Sequence, residues 1–234
     1  SALAQYHVLK LQEQPPSTFI PCNILPEHKR VLTEWIVETA LYYNLNSQCL
    51  FYIKAMIDLL LHQHPANFHL QIFQTFGAAC IQYGTELCDT RRKFKIRNAN
   101  FSATEELSAL VPNMQHTNEL ASVHAIVTHW MSDVDIVTEL DFLNVLSRAA
   151  TLHFEHNPYD AFDLAKCMLE FSIMDAKFVN YKKSTLAVSS LIISLQSFGF
   201  SNKINGLLAL ELDNLETISE CVEHLVDCFS RKEL

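Results

Sequence analysis

Two stretches of the sequence, from Phe68 to about Tyr83 and from Ser184 to Phe198, are apolar over more than one face at helical spacing. A helix of that kind is stable only when other helices enclose it. Each stretch stands third in a run of five helical segments. The first run falls at about His28 to Tyr43, Asn46-Ser47 to Leu61, Phe68 to Tyr83, Thr104 to Leu110 and Asn118 to Met131. The second falls at Leu140 to Ala150, Ala161 to Val179, Ser184 to Phe198, Lys203 to Leu210 and Leu215 to Phe229. The duplication predicts an all-α fold of two tandem five-helix domains over 27–134 and 135–234, preceded by a short helical leader and linker over 1–26.

Local signals agree with this division. The leader carries Pro15, Pro16, Pro21 and Pro26, which interrupt regular structure. In the first segment Val31, Leu32, Trp35, Ile36 and Thr39 share one stripe, and in the second Leu50, Ile53, Ile57 and Leu60 do so. Asn46 and Ser47 are helix-capping residue types, the Pro65-Ala66-Asn67 turn leads into the third segment, and Gly199 closes the eighth.

Composition narrows the function. The four glycines stand apart at Gly77, Gly84, Gly199 and Gly206, so there is no glycine-rich loop to cradle a phosphate, and no Gly-x-Ser-x-Gly places a serine nucleophile. The carboxylate pair Glu105-Glu106 sits on an expected exposed helix, without the desolvation that makes a general acid. We therefore expect no catalytic residues, no cofactor and no metal site. A net charge of −9, from 17 Lys+Arg against 26 Asp+Glu, disfavours nucleic acid, whose affinity comes from clustered cations. The longest apolar stretch, Leu186 to Leu195, is too short to cross a bilayer and is broken by serines. Seven cysteines, mostly within apolar periodic segments, read as buried thiols of a reducing compartment. The expectation is a soluble intracellular protein, nuclear or cytoplasmic, whose partner is another protein. The opening Ser1-Ala2, with no methionine or signal peptide, reads as a trimmed start.

Particular residues then carry a resemblance. The run Lys29-Arg30-Val31-Leu32-Thr33-Glu34-Trp35-Ile36-Val37-Glu38, followed by Met56-Ile57-Asp58, resembles the opening of the cyclin box, a five-helix domain that occurs twice in cyclins. The second half is similar to A- and B-type cyclins in Phe142-Leu143, in the run from Leu164 to Asp175, and in Leu215-Glu216 with Cys221, His224 and Leu225. The resemblance spans about Ile24 to Phe229. It implies a non-catalytic regulatory subunit that forms a heterodimer with a cyclin-dependent serine/threonine kinase, activates it and helps recruit substrates in cell-cycle control. The alternative is a cyclin-fold adaptor that recruits partners without conventional activation.

The resemblance also implies sites. The family's substrate-docking groove corresponds to His28, Val31, Leu32, Trp35, Glu38, Leu70 and Gln71. The residues among these on the first helix share one side, so an apolar slot beside a carboxylate would suit a leucine-bearing substrate or inhibitor peptide with a basic residue. His28 stands where the family usually has methionine. The kinase-facing positions correspond to Gln82, Tyr83, Val123 and His124, where the family typically has a lysine late in the third helix and a glutamate in the fifth. With both charges absent, kinase contact would rely on apolar area, other polar groups or the leader near Tyr6 to Leu11. The family's internal Arg–Asp pair corresponds to Lys29 and Glu34.

Two further clusters stand out. Arg91, Arg92, Lys93, Lys95 and Arg97 lie within seven residues. The run reads as a solvated loop or, more sharply, as a patch for an acidic or phosphorylated partner. Cys221, His224 and Cys228 have the spacing of one helix face, and buried packing is the expected account of them rather than metal ligation. His62 and His64, before Pro65, read as exposed residues at a helix end.

Overall fold

In the computed structural model the described residues are 2–16, 24–88, 103–111, 117–151, 159–201, 204–209 and 214–231. All of their regular structure is helical. The chain forms two compact units, Phe19–Ile136 and a second made of Ser1–Thr18 with Val137–Leu234. The basic run from Arg91 to Arg97 lies outside the described residues.

A leader helix α1 (Ala2–Gln12) precedes the unit of 19–136, whose helices are α2 (Pro26–Tyr42), α3 (Ser47–Gln63), α4 (Phe73–Cys88), α5 (Ala103–Leu110) and α6 (Thr117–Met131). Pro26 occupies the first turn of α2, where no backbone donor is needed, and Asn44 ends the helix in the left-handed region at φ 53°. The Asn46 side chain accepts a hydrogen bond from the Cys49 N–H at 2.8 Å and so caps α3. The third helix starts later than the sequence suggests. Phe68 is extended, Leu70–Ile72 forms a single 3-10 turn, and α4 runs on to Cys88, past Tyr83. Phe68 instead packs edge-on against Phe76, ring centroids 4.5 Å apart, and anchors the approach to α4.

Burial of α4 extends around its whole circumference, from Phe73 and Thr75 through Gln82 to Gly84 and Thr85. Two glycines make the enclosure possible. A methyl group at Gly77 would lie 2.6 Å from Leu32 Cδ1, and one at Gly84 would strike the Ile53 side chain. These positions let α2 and α3 approach the α4 backbone closely.

The other unit holds α1 together with α7 (Glu139–Thr151), α8 (Tyr159–Ser172), α9 (Lys183–Ser197), α10 (Ile204–Leu208) and α11 (Leu215–Arg231). α7 opens with a reciprocal cap: Thr138 N–H and Oγ1 donate to Asp141 Oδ2 at 2.8 and 2.7 Å, and Asp141 N–H donates back to Thr138 Oγ1 at 3.3 Å. α8 ends at Ser172 rather than continuing to Val179, because Asp175 accepts from the Lys177 N–H at 2.9 Å and starts a separate 3-10 turn. Every residue of α9 from Ser184 to Leu195 is buried. Two of its serines satisfy themselves locally, Ser190 Oγ donating to the Ala187 carbonyl at 3.0 Å and Ser194 Oγ to the Ser190 carbonyl at 2.8 Å. Gly199, at φ +80°, terminates the helix.

α1 is built into this unit. Tyr6 is fully buried with its ring edge-on to Phe142, centroids 5.6 Å apart. Lys182 at the N-cap of α9 gives no side-chain cap, and Glu13 supplies one from beyond the end of α1, its carboxylate accepting from Ser184 N–H and Oγ.

Candidate functional site

The resemblance-implied residues fall on two surfaces of the unit 19–136. The first is the outer side of α2 with the turn before α4. Leu32 does not line it; the side chain is buried against Gly77, within the core. Trp35 is half-buried and its ring lies beside Gly77, so it covers that core. Val31 and Leu70 are each 53% exposed, and Gln71 and Glu38 are also at the surface. His28 is turned back on its own helix, its Nδ1 accepting from the Leu25 N–H at 3.2 Å. Val31, Glu38, Leu70 and Gln71 therefore remain exposed, with Leu32 removed from the set by burial.

Beneath this surface lies an ion cluster that sequence reasoning paired differently. Lys29 does not reach Glu34. Its Nζ lies 2.6 Å from Asp58 Oδ1 on α3, while Lys54 lies 2.7 Å from Asp58 Oδ2. Glu34 pairs with Arg30 one turn away. Burial alone would raise the Asp58 carboxyl, but the Lys54 and Lys29 charges outweigh it and hold the group below the usual carboxylate range. The cluster ties α2 to α3 and fixes the exposed side of α2.

The second surface is formed where the end of α4 meets α6. Gln82 is only 8% exposed and is engaged at both ends of its amide. Its Nε2 donates to Glu86 Oε1 at 3.0 Å, and its Oε1 accepts from Thr104 Oγ1 on α5 at 3.3 Å. His124 Nε2 lies 3.2 Å from Glu86 Oε2. Tyr83 and Val123 are half-buried against the core, and the Tyr83 and His124 rings are 6.4 Å apart. Burial, and then the Glu86 charge, raise the Tyr83 phenol above its ordinary value, so it stays neutral.

Structure thus brings Gln82, Tyr83, Val123 and His124 together, and adds Glu86. Sequence reasoning missed Glu86 because it ended the third helix at Tyr83. The signal was present in the i, i+4 spacing of Gln82 and Glu86, which a helix continued by one more turn places side by side.

In the other unit, Cys221 is buried, and burial pushes its thiol up to about 12 against the pull of a hydrogen bond with Ser189. His224 Nδ1 is 2.6 Å from Tyr181 Oη. Both side chains hold α11 against its neighbours. Among the described residues no group of three His, Cys, Asp or Glu side chains is placed to hold a metal ion, and no helix is long and apolar enough to cross a membrane.

The two five-helix units each enclose their own third helix. Comparison with known proteins makes the class specific. Residues 137–234 match the cyclin C-terminal domain family. The chain is 26% identical to G2/mitotic-specific cyclin-4 of Candida albicans over 72% of its length and 32% of that protein's. It is 22% identical to cyclin-A2-4 of Arabidopsis thaliana over 70% of the chain and 33% of that protein. With cyclin-A1-4 of Oryza sativa subsp. japonica the identity is 24% over 80% and 51%. The X-ray structure of a viral cyclin from herpesvirus saimiri superposes with a TM-score of 0.72 at 15% identity, covering 98% of this chain and 97% of that one. Residues 137–234 thus carry the match to the cyclin C-terminal domain, and the chain as a whole is similar to cyclins. It spans about a third to a half of the length of these curated relatives.

Proposed function

We propose that this chain is the non-catalytic regulatory subunit of a cyclin-dependent serine/threonine kinase, acting in cell-cycle control in the nucleus or cytoplasm. The observation that supports this most is the match of 137–234 to the cyclin C-terminal domain family in a chain whose two units each enclose a third helix. In this reading the kinase rests on the α4–α6 surface, and differential contacts with its active and inactive conformations shift it toward the active one. The chemistry belongs entirely to the kinase. The α2 surface, with Val31, Leu70, Gln71 and Glu38, takes leucine-bearing peptides whose basic residue faces the carboxylate. Neither nucleic acid nor membrane is a partner.

The experiment is an equimolar mixture with each of a panel of purified cyclin-dependent kinases. Co-elution with one of them, and a faster phosphorylation of a peptide substrate by it, is the expected result. Failure to co-elute with any of them removes the proposal.

One observation favours a second reading, recruitment without activation. Gln82 is buried, carries no charge and turns its amide to Glu86 and Thr104, so this position offers a kinase no cation. Co-elution with no change in phosphorylation rate would select this reading.

A further inference from the structure

The last helix, α11, carries more apolar surface than its core needs. Its inner face, Ile218, Cys221 and Leu225 at i, i+3 and i+7, is buried, and at the edge of that face His224 Nδ1 lies 2.6 Å from Tyr181 Oη. A second apolar stripe, Val222, Val226 and Phe229 at i, i+4 and i+7, runs beside it and reaches the surface, with Val226 45% exposed. Phe171 of α8 widens the stripe: its ring lies edge-on to Phe229, centroids 5.1 Å apart, and the residue is 39% exposed. Contiguous apolar surface with a polar rim marks a protein interface. Beyond the stripe, on the side away from the core, the helix is acidic. Glu216, Glu220, Glu223 and Asp227, at i, i+4, i+7 and i+11, form one exposed ridge about 16 Å long. The basic residues of α11 are His224, engaged with Tyr181, and Arg231 in the last turn, so the ridge keeps a negative sign along its length. On α8 the cation Lys166 is paired with Glu170 one turn away.

We infer that the α8–α11 surface is a docking face in its own right, and that its occupant is an amphipathic helix of a partner protein, which lays an apolar stripe on Phe171, Val226 and Phe229 and sets a flanking row of lysine or arginine side chains against the carboxylate ridge. The apolar contact supplies affinity and the charges fix the register and the choice of partner. Carboxylates that recur every three or four residues along one ridge are matched by cations that recur at the same interval on a second helix laid alongside. The ridge repels anionic lipid and nucleic acid, and two copies of this chain joined through the stripe would bring two acidic ridges into one interface. The inference does not depend on a kinase being the partner of the other unit.

The test uses the full chain and a fluorescently labelled synthetic peptide of about 18 residues, long enough to hold a helix, with leucines at i, i+4, i+7 and i+11 and lysines along one adjoining edge. A peptide of the same composition in scrambled order is the control. Anisotropy is read at low and high salt, thermal unfolding checks that the variants fold, and sedimentation velocity reports the oligomeric state. The ordered peptide is expected to bind about tenfold more tightly than the scrambled one. Val226→Ser, which removes exposed apolar surface, should weaken it about three- to tenfold and leave its salt dependence unchanged. Glu216→Lys combined with Glu223→Lys, which reverses two charges of the ridge, should weaken it about tenfold at low salt and flatten the salt dependence. Equal binding of the two peptides, binding of neither, or full affinity in either variant overturns the inference. Self-association of the chain that Val226→Ser abolishes also overturns it, because a second copy would then cover the stripe.

Discussion

The carboxylate of Glu13 accepts hydrogen bonds from the backbone N–H of Ser184 at 2.7 Å and from its hydroxyl at 3.0 Å, across 171 positions of sequence. Lys10 Nζ donates to the same hydroxyl at 3.2 Å. The leader thereby caps the most buried helix of its unit and is fastened at its other side by Tyr6 on Phe142. Removing the cap with Glu13→Ala should cost about 1–2 kcal/mol. Tyr6→Ala, which empties a buried aromatic site, should cost about 3–5 kcal/mol. Urea unfolding measures both, and hydrogen exchange should show α1 losing protection before α9 in the Glu13 variant. Equal protection of α1 in the variant and the wild type would contradict the capping role.

Close approach of α2 to α4 at Gly77 yields a paired prediction. Gly77→Ala puts a methyl 2.6 Å from Leu32 Cδ1 and should destabilise by about 1–3 kcal/mol through overpacking. Leu32→Ala alone should cost about 2–5 kcal/mol. Combined, the two should cost less than their sum, because the truncated leucine makes room for the new methyl. Chemical denaturation of the four proteins closes the cycle, and strict additivity would show that the two groups do not meet.

Asp58 gives a pH dependence of definite sign. Its carboxyl is held below its ordinary value by Lys54 and Lys29 against the opposing effect of burial, so the folded chain binds the proton less readily than the unfolded one. That contribution is complete above the unfolded value of about 4 and disappears as pH falls toward the lowered folded value. Asp58→Asn should be less stable than the wild type at pH 7, by about 3 kcal/mol since two lysines lose their partner, and the gap should narrow toward pH 3. Unfolding free energies at several pH values check this; a gap that stays constant would mean that the pair carries no linkage.

The α2 surface separates recruitment from folding. Leu70 and Gln71 are exposed beside α4, so Leu70→Asp and Gln71→Ala should weaken binding of a leucine-bearing basic peptide about tenfold while the unfolding midpoint stays put. Val31→Ala should act in the same direction. Trp35→Ala is expected to reduce peptide binding and stability together, because its ring also covers Gly77. Fluorescence anisotropy of the labelled peptide reads the first effect, and full retention of affinity in the Leu70 and Gln71 variants would dismiss the groove.

Much of this architecture was legible in the order of residues. The periodic stripe of α2, the Asn46 cap and the all-round apolarity of α4 and α9 are local properties, set by spacing along one helix and by the side chains within it. Local chemistry therefore located the helices and their duplication. Where it failed, the failure was also local: the start of α4 moved from Phe68 to Phe73 because the extended Phe68 and the 3-10 turn of Leu70–Ile72 come first, and the lost turn at the other end concealed Glu86.

What the amino-acid order determined by itself was the set of helices, their two quintets and the members of each core, since burial of an apolar stripe depends on composition and period alone. Tertiary structure alone decided which charge meets which. Lys29 finds Asp58 rather than Glu34, Glu13 finds Ser184, and Glu86 finds His124. An ion pair or a cap depends on a separation of about 3 Å between groups that are far apart in the chain, and only the packing of whole helices sets that separation.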